Sequence, residues 1–257
     1  MARKGIAVCC LQHGALILSV VFIIISAVIV FSIAWEDSDF LLVVVSIFCY
    51  GEVLMNWFAT LKTVSTEDGQ YEEEITELWE GAHYCQDCLL HQARLTHHCS
   101  LCRRCVRRHD HHCFFVGTCI GGDNQSHFVV FCLYTGIGTM YLSWRIYQWA
   151  GWSCSTWYDY PAPFMPFGFL VMLRRSTSVS SAGLIIFFNV SMAVSMACLG
   201  MVCLEVYLMA TNKTWHQFST GTSSSKGRVH PWKQFWTSFG LLNLVVPLHN
   251  RNTMKLF

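Results

Sequence analysis

With 257 residues, 53% hydrophobic and only 13% charged, and a mean hydropathy of +0.39, the chain is too poor in charge for an ordinary soluble domain, which carries about a quarter. The net charge of +1 excludes little, because the charges are unevenly placed. Fourteen cysteines that cluster with histidines argue against a secreted disulfide scaffold and for metal in a reducing compartment.

In chain order, residues 1–14 read as a short tail carrying Arg3 and Lys4. Cys9 and Cys10 stand just before the first apolar run, as ordinary thiols or as acylation sites beside a membrane. Ala15 to Ala34 holds no charge and spans about 30 Å as a helix, enough to cross a bilayer. It is too long for the core of a signal peptide, and no small-residue cleavage site follows before Trp35-Glu36. Glu36-Asp37-Ser38-Asp39 makes a tight acidic turn, so Phe40 to Leu61 is predicted to return antiparallel, and residues 15–61 hold the first two crossings. Glu52 lies inside the second crossing and is expected to face protein rather than lipid. It reads either as a protonated structural group or as part of a functional cavity.

Residues 62–127 form a polar block. Glu67 to Glu80 is acidic and lacks helix-period apolar spacing. The spelling Cys85-x2-Cys88-x9-His98-x6-Cys105 then returns fourteen residues later as Cys99-x2-Cys102-x9-His112-x6-Cys119. Three thiolates and one imidazole make a closed tetrahedral zinc shell. The two sets interleave, and short hairpins are expected around the Cys-x2-Cys turns, with zinc supplying much of the folding free energy. Disulfides or scattered core thiols are the plainer reading, and the doubled spacing argues against them. The window holds seven cysteines and two shells consume six, leaving Cys113. His112 is spent on metal, so His111 is the free imidazole beside a free thiol, and Asp110 can hold its tautomer. Arg94, Arg103, Arg104, Arg107 and Arg108 read as a solvated face attracted to anionic headgroups, or as partners of phosphate groups. Nucleic acid fits poorly with a module tethered at both ends by membrane helices.

Residues 128–148 are the predicted third crossing, with Gly136 and Gly138 in mid-helix as close-packing positions or simply tolerated glycines. Trp144, Tyr147, Trp149 and Trp152 suggest an interfacial aromatic belt. Residues 149–182 are a lumenal loop whose apolar Phe164 to Leu173 is too short to span, and 183–209 are the fourth crossing, interrupted by Asn189 and Glu205. Residues 210–257 form a tail with a Ser/Gly-rich linker, Ser219 to Arg228, and an apolar segment, Phe235 to Leu248. Four crossings place both termini and the cysteine-rich block on one side. All of the 17 Lys and Arg except Arg145, Arg174 and Arg175 fall in those segments, which makes that side the cytosol.

Asp110-His111-His112-Cys113 within this frame, with Asn124 and Phe128 following, resembles the DHHC-type (Asp-His-His-Cys) protein S-acyltransferases, the palmitoyltransferases. The resemblance implies an α-helical multi-pass membrane protein with four transmembrane helices and a cytosolic module holding two zinc ions, on Cys85, Cys88, His98 and Cys105 and on Cys99, Cys102, His112 and Cys119. It implies Cys113 as the acyl-accepting nucleophile, His111 as its base and Asp110 as the orienting carboxylate. Acyl-coenzyme A is the implied donor, and Golgi or endoplasmic reticulum the implied address. The chain departs from the family pattern at three places. Glu67-Asp68-Gly69 stands where Asp-Pro-Gly is usual, Phe114-Phe115 where Pro-Trp is common, and Thr214-Trp215-His216-Gln217 where Thr-Thr-x-Glu is usual.

The expected function is transfer of a long-chain acyl group from acyl-coenzyme A, through a Cys113 thioester, to cysteines of membrane-proximal proteins. The expected partners are the lipid bilayer and membrane-associated substrate proteins, with no nucleic acid. The alternative is a zinc-stabilised membrane scaffold with weak or no transferase activity, motivated by the altered motifs. A metal transporter is remoter, because no His or Cys pair lines the crossings at helical spacing.

Overall fold

The computed structural model describes residues 2–64, 83–92, 95–152, 163–166, 168–169 and 179–221, with side chains from residue 11 onward except those of His83 and Thr220. Arg94, the Glu67-Asp68-Gly69 linker, the side chains of Cys9 and Cys10, the end of the apolar loop segment and the apolar C-terminal segment lie outside the described residues.

The elements in order are helix α1 (Ala2–Asp37), helix α2 (Phe40–Lys62), strands β1 (His83–Cys85), β2 (Leu90–Gln92), β3 (His97–Cys99), β4 (Arg104–Val106), β5 (His111–Cys113) and β6 (Thr118–Ile120), then helices α3 (Gln125–Trp149), α4 (Val179–Ala210) and α5 (Trp215–Thr220). Helix α1 runs through what the sequence sets apart as a tail, since no proline interrupts residues 2–14. Among the described residues, three helices are long and apolar enough to cross a membrane: Leu11–Asp37 within α1, Phe40–Lys62, and Val179–Ala210. Helix α3 is leaner, because Gln125, His127, Thr135, Thr139, Ser143, Arg145 and Gln148 dilute its apolar positions.

The chain forms two compact units. The first comprises Met1–Phe22, Leu54–Phe131 and Cys203–Phe257, and the second Ile23–Val53 and Cys132–Val202. The second unit is helical, around a core of Val30, Ile33, Ala34, Leu42, Leu142, Ile146 and Phe188. The acidic turn closes it. Asp39 Oδ1 accepts from the Leu42 amide, capping α2, while Arg145 Nη2 lies 2.9 Å from Asp37 and 3.3 Å from Asp39. Trp149 Nε1 donates to Glu36 at 2.7 Å. The two mid-helix glycines of α3 differ. A Cβ on Gly136 would meet Leu199 at 2.8 Å, and Ser195 Oγ donates to the Gly136 carbonyl at 2.8 Å, so this glycine permits a close helix approach. A Cβ on Gly138 would find ordinary contact, 3.8 Å from Cys49. Glu52 is 2% exposed, turned into protein.

The first unit holds three antiparallel hairpins, β1–β2, β3–β4 and β5–β6. Their register repeats every fourteen residues: Cys85 faces Leu90, Cys99 faces Arg104 and Cys113 faces Thr118. The residue four after each of these cysteines is left-handed, at Leu89 (φ 57°), Arg103 (φ 53°) and Gly117 (φ 83°). One turn geometry is thus used three times. Asn124, fully buried, ties the third hairpin to α2: its Oδ1 accepts from the Gly121 amide at 2.8 Å, and its Nδ2 donates to the carbonyls of Cys119 (2.9 Å) and Thr60 (3.0 Å). The turn after Cys113 is also held from the helices. Gln12 donates to the Gly117 carbonyl, Trp57 Nε1 to the Val116 carbonyl, and Leu16 fills the space that a Gly117 side chain would need.

Candidate active site and metal centres

The register of β3–β4 sets His98 opposite Cys105, and that of β5–β6 sets His112 opposite Cys119. The Cys-x2-Cys turns bring the remaining sulfurs alongside. Cys85, Cys88, His98 and Cys105 converge as one group, and Cys99, Cys102, His112 and Cys119 as a second, each able to hold a metal ion. In the first, the three sulfurs stand 3.7, 3.2 and 3.8 Å from His98 Nδ1. In the second, they stand 3.7, 3.3 and 3.5 Å from His112 Nδ1. Tetrahedral zinc with sulfur at about 2.3 Å and nitrogen at about 2.0 Å sets S···N edges of about 3.5 Å. The donor chemistry and the spacing therefore fit zinc. The Gln92 amide donates to Cys105 Sγ, and Asp87 lies 3.7 Å from the outer nitrogen of His98, the kind of outer support that orients metal ligands.

Cys113 is the leading cysteine of the third hairpin, at the position that Cys85 and Cys99 hold in the first two. The second cysteine of that turn is replaced by Val116, which is fully buried. The turn is built like a metal knuckle but lacks a second thiol. The fourteen-residue period, followed one step further, is the signal in the sequence that finds it. No disulfide engages Cys113, which is half-buried.

Asp110, His111 and Cys113 meet. Asp110 Oδ2 accepts from His111 Nδ1 at 2.8 Å, and the sulfur of Cys113 stands near enough to the same ring to act on its charge. With Nδ1 held by the carboxylate, Nε2 is the nitrogen left for the thiol. Burial opposes a charge on His111, but the Asp110 hydrogen bond and the Cys113 sulfur outweigh it, and the imidazole is pushed up to about 10. Phe128 packs edge-on against the ring, with centroids 5.3 Å apart. Phe114 stacks its edge on His112, and Phe115 is 65% exposed beside the thiol.

Asp110 is 3% exposed, and its second oxygen is also used: Oδ1 accepts from the Trp215 backbone amide at 2.6 Å. Sequence reasoning missed this contact, since a backbone donor leaves no side-chain signature. Thr214 and Gln217 form a capping box, with Gln217 N–H to Thr214 Oγ1 at 3.3 Å and Thr214 N–H to Gln217 Oε1 at 3.0 Å. Gln217 thus caps the helix that presents the amide. Glu205 was also missed as a site residue. Its Oε1 lies 3.8 Å from His111 Nδ1. A carboxylate ending an apolar run was its visible sign. Of the arginines, Arg104 donates to Thr118, Arg107 pairs with Asp123 and Arg108 donates to Asn212.

The model of the DHHC palmitoyltransferase family matches residues 79–222, more than half of the chain and all of the geometry above. The chain belongs to the DHHC palmitoyltransferase family. Palmitoyltransferase ZDHHC22 of Homo sapiens is 34% identical over 143 residues, which cover 51% of this chain and 51% of that protein. The proteins of the same name from Rattus norvegicus and Mus musculus are each 34% identical over 146 residues, 52% of either chain. The matched stretch thus spans about half the length of these curated relatives. Within the DHHC palmitoyltransferase family, this chain keeps the Asp-His-His-Cys run intact and departs beside it, at Phe114-Phe115 and at Trp215 and Gln217.

Proposed function

We propose that this chain is a protein S-acyltransferase that carries a long-chain acyl group from acyl-coenzyme A, as a Cys113 thioester, to cysteine thiols of membrane-associated proteins. The observation that carries the reading is the thiol of Cys113 on a ring whose Nδ1 is held by Asp110 at 2.8 Å. The thiol proton passes to Nε2 of His111, and the thiolate attacks the thioester carbonyl. The carbon–sulfur bond to coenzyme A breaks, and the departing thiolate takes the proton from the imidazolium. In the second half, the acceptor thiol gives its proton to His111, attacks the acyl-enzyme, and Cys113 leaves as the thiolate that recovers the proton. Asp110 orients the ring throughout.

Cys85, Cys88, His98 and Cys105, and Cys99, Cys102, His112 and Cys119, would each hold one zinc ion, which would supply folding free energy to the hairpins that carry Cys113 and, with four protein ligands, would be structural. Helix α3 is the third crossing in chain order and brings the three apolar spans to four, and the hairpins face the cytosol, where a thiol stays reduced. The acyl chain is cheapest to hold in hydrocarbon-like surroundings, at about 0.8 kcal/mol per methylene. Exposed Phe115 and the α1 side chains Leu11, Ile17 and Leu18 provide apolar surface in the same unit as the thiol. The Golgi or endoplasmic reticulum membrane is the address that the resemblance implies.

The scaffold alternative rested on the altered Thr-Thr-x-Glu and on the missing proline of the Glu67-Asp68-Gly69 linker, which lies outside the described residues. The Trp215 amide and the Gln217 cap offer Asp110 the support that those substitutions put in question. The test is incubation of the purified, zinc-loaded chain with clickable palmitoyl-coenzyme A. Hydroxylamine-sensitive label that disappears in Cys113→Ser is expected. Absence of label on the wild type overturns the transferase reading in favour of the scaffold, and label that survives Cys113→Ser moves the nucleophile elsewhere.

A further inference from the structure

Helix α5 carries its side chains the wrong way round for a surface in water. Its polar residues Thr214 and Gln217 are buried, while its aromatics face out: Trp215 is 39% exposed and Phe218 45%. The two stand three residues apart, on one face of the helix, with ring centroids 5.6 Å apart. Tyr207, about one turn before the end of α4, is 50% exposed and meets Phe218 edge-on at 6.2 Å. The three rings make one aromatic face across the α4–α5 junction. The other sides of α5 are fastened to the hairpins. The ring of His216 stacks on that of His97, in β3, at 4.2 Å, and the Trp215 amide is bonded to Asp110. These contacts leave the aromatic face pointing outward.

The depth of this face follows from α4. Its 32 residues rise about 48 Å, against about 30 Å of hydrocarbon and about 40–45 Å for a bilayer with both headgroup layers. A crossing of that length brings its end at Ala210 out among the headgroups. The chain does not climb away from there. Asn212 is left-handed at φ 54°, and the amides of Asn212 and Lys213 bond back to the carbonyls of Met209 (3.2 Å) and Leu208 (2.9 Å). That closure sets α5 directly beside the helix end. Residues 206–221 hold no Asp or Glu and carry Lys213, so their charge suits a phosphate-rich layer. Indole and phenol rings, apolar in body and polar at the tip, are the side chains that favour that layer.

We propose that Tyr207, Trp215 and Phe218 form a membrane-interface face whose partner is the phospholipid headgroup layer, and that this contact steadies α5, with its Trp215 amide, against Asp110. This rests on α4 crossing a bilayer and not on acyl transfer. Residue 215 then serves twice. Its amide supports the carboxylate, and its ring, where the family usually has threonine, meets lipid.

The experiment uses the full chain, zinc-loaded, in phosphatidylcholine nanodiscs, with its ten tryptophans replaced by fluorotryptophan. The fluorine resonance lost in Trp215→Phe belongs to residue 215, and Trp215→Tyr makes the same assignment should the first variant not fold. Three paramagnetic probes are compared: a lipid with a nitroxide near its headgroup, a lipid with one at the end of its acyl chain, and a water-soluble gadolinium chelate. The headgroup-level probe is expected to broaden the Trp215 resonance at least about threefold more than either of the others. Broadening chiefly by gadolinium puts the face in water, and broadening chiefly by the chain-end probe puts it in hydrocarbon. A resonance that no probe touches puts it under protein, whether a second copy or this chain's own segment Phe235 to Leu248. Each of these three results overturns the inference. If no indole of the chain responds to either lipid probe, the membrane crossings fall with it, whereas if other indoles respond and Trp215 does not, only this face falls. Hydrogen exchange reads the steadying of α5. Across residues 214–220 it is expected to run about tenfold faster in amphipol, which wraps apolar spans but has no headgroup layer, than in nanodiscs, with β3–β4 unchanged. Equal exchange in the two overturns that part of the proposal.

Discussion

The backbone amide of Trp215 donates a 2.6 Å hydrogen bond to Oδ1 of Asp110, 105 residues earlier in the chain. The bond uses no side-chain atom of residue 215, so it survives the loss of the family's usual threonine. A helix of six residues, capped at both ends by Thr214 and Gly221, brings the amide to the carboxylate.

That bond can be removed cleanly. Trp215→Pro deletes the N–H at the first helical position, where proline is well tolerated, and Thr214 is already extended at φ −97°, ψ 161°, as a residue before proline must be. A hydrogen bond to a charged group contributes about 1.5–3 kcal/mol, so self-acylation is expected to fall at least about tenfold. Trp215→Ala, which keeps the amide and loses only the ring against Phe218, is expected to stay within about threefold of wild type. Single-turnover labelling with palmitoyl-coenzyme A compares the two.

Zinc content reads the metal groups. The wild type is expected to carry two equivalents by elemental analysis, and Cys88→Ser fewer than one. Chelation is expected to unfold the hairpins, seen as rapid proteolysis between residues 83 and 121, with release of the six metal-group thiols to a thiol reagent. Protection of those thiols after complete chelation would contradict a metal-dependent fold.

Asn124→Ala removes three hydrogen bonds at once and leaves the carbonyls of Cys119 and Thr60 without the donor they now share. A loss of about 2–4 kcal/mol is expected, visible as a lower melting temperature in detergent. Asn124→Asp keeps the acceptor for Gly121 but not the two donations, and is expected to be no better.

Two adjacent glycines are expected to behave differently. A Cβ on Gly121 would meet the Arg107 carbonyl at 2.8 Å and Val106 at 2.9 Å, and a backbone atom cannot step aside cheaply. Gly121→Ala is expected to cost about 1–3 kcal/mol and to loosen zinc retention. At Gly122 the nearest atom is the Arg108 side chain at 3.2 Å, so Gly122→Ala is expected to be milder. Melting temperature and zinc retention, measured side by side, decide it.

The two Cys3His groups were legible before any coordinates, because Cys and His are the usual donors of structural zinc shells and a hairpin repeats its register. The same rule explains Cys113, whose turn matches the other two but for Val116. The apolar runs at Ala15, Phe40 and 183–209 announced helices for the same elementary reason, that lipid rewards uninterrupted apolar length. The third run was less plain. Helix α3 carries Gln125, His127 and Arg145 among its apolar positions, so hydropathy alone does not count it as a span. What sequence could not display is contact between distant segments. Glu205 lies 94 positions after His111, and Trp215 acts through an atom that every residue but proline possesses. Both placements depend on how α4 and α5 return to the third hairpin.

The interleaving of the two Cys3His groups forbids any division of labour along the chain. A scission anywhere between Cys85 and Cys119 severs at least one group, because Cys99 and Cys102 precede Cys105. No fragment ending inside that interval retains a complete second group, and none starting inside it retains a complete first. Neither half of the segment holds a complete pair of groups, so an engineer cannot borrow half of it. It is inherited, transplanted or lost whole.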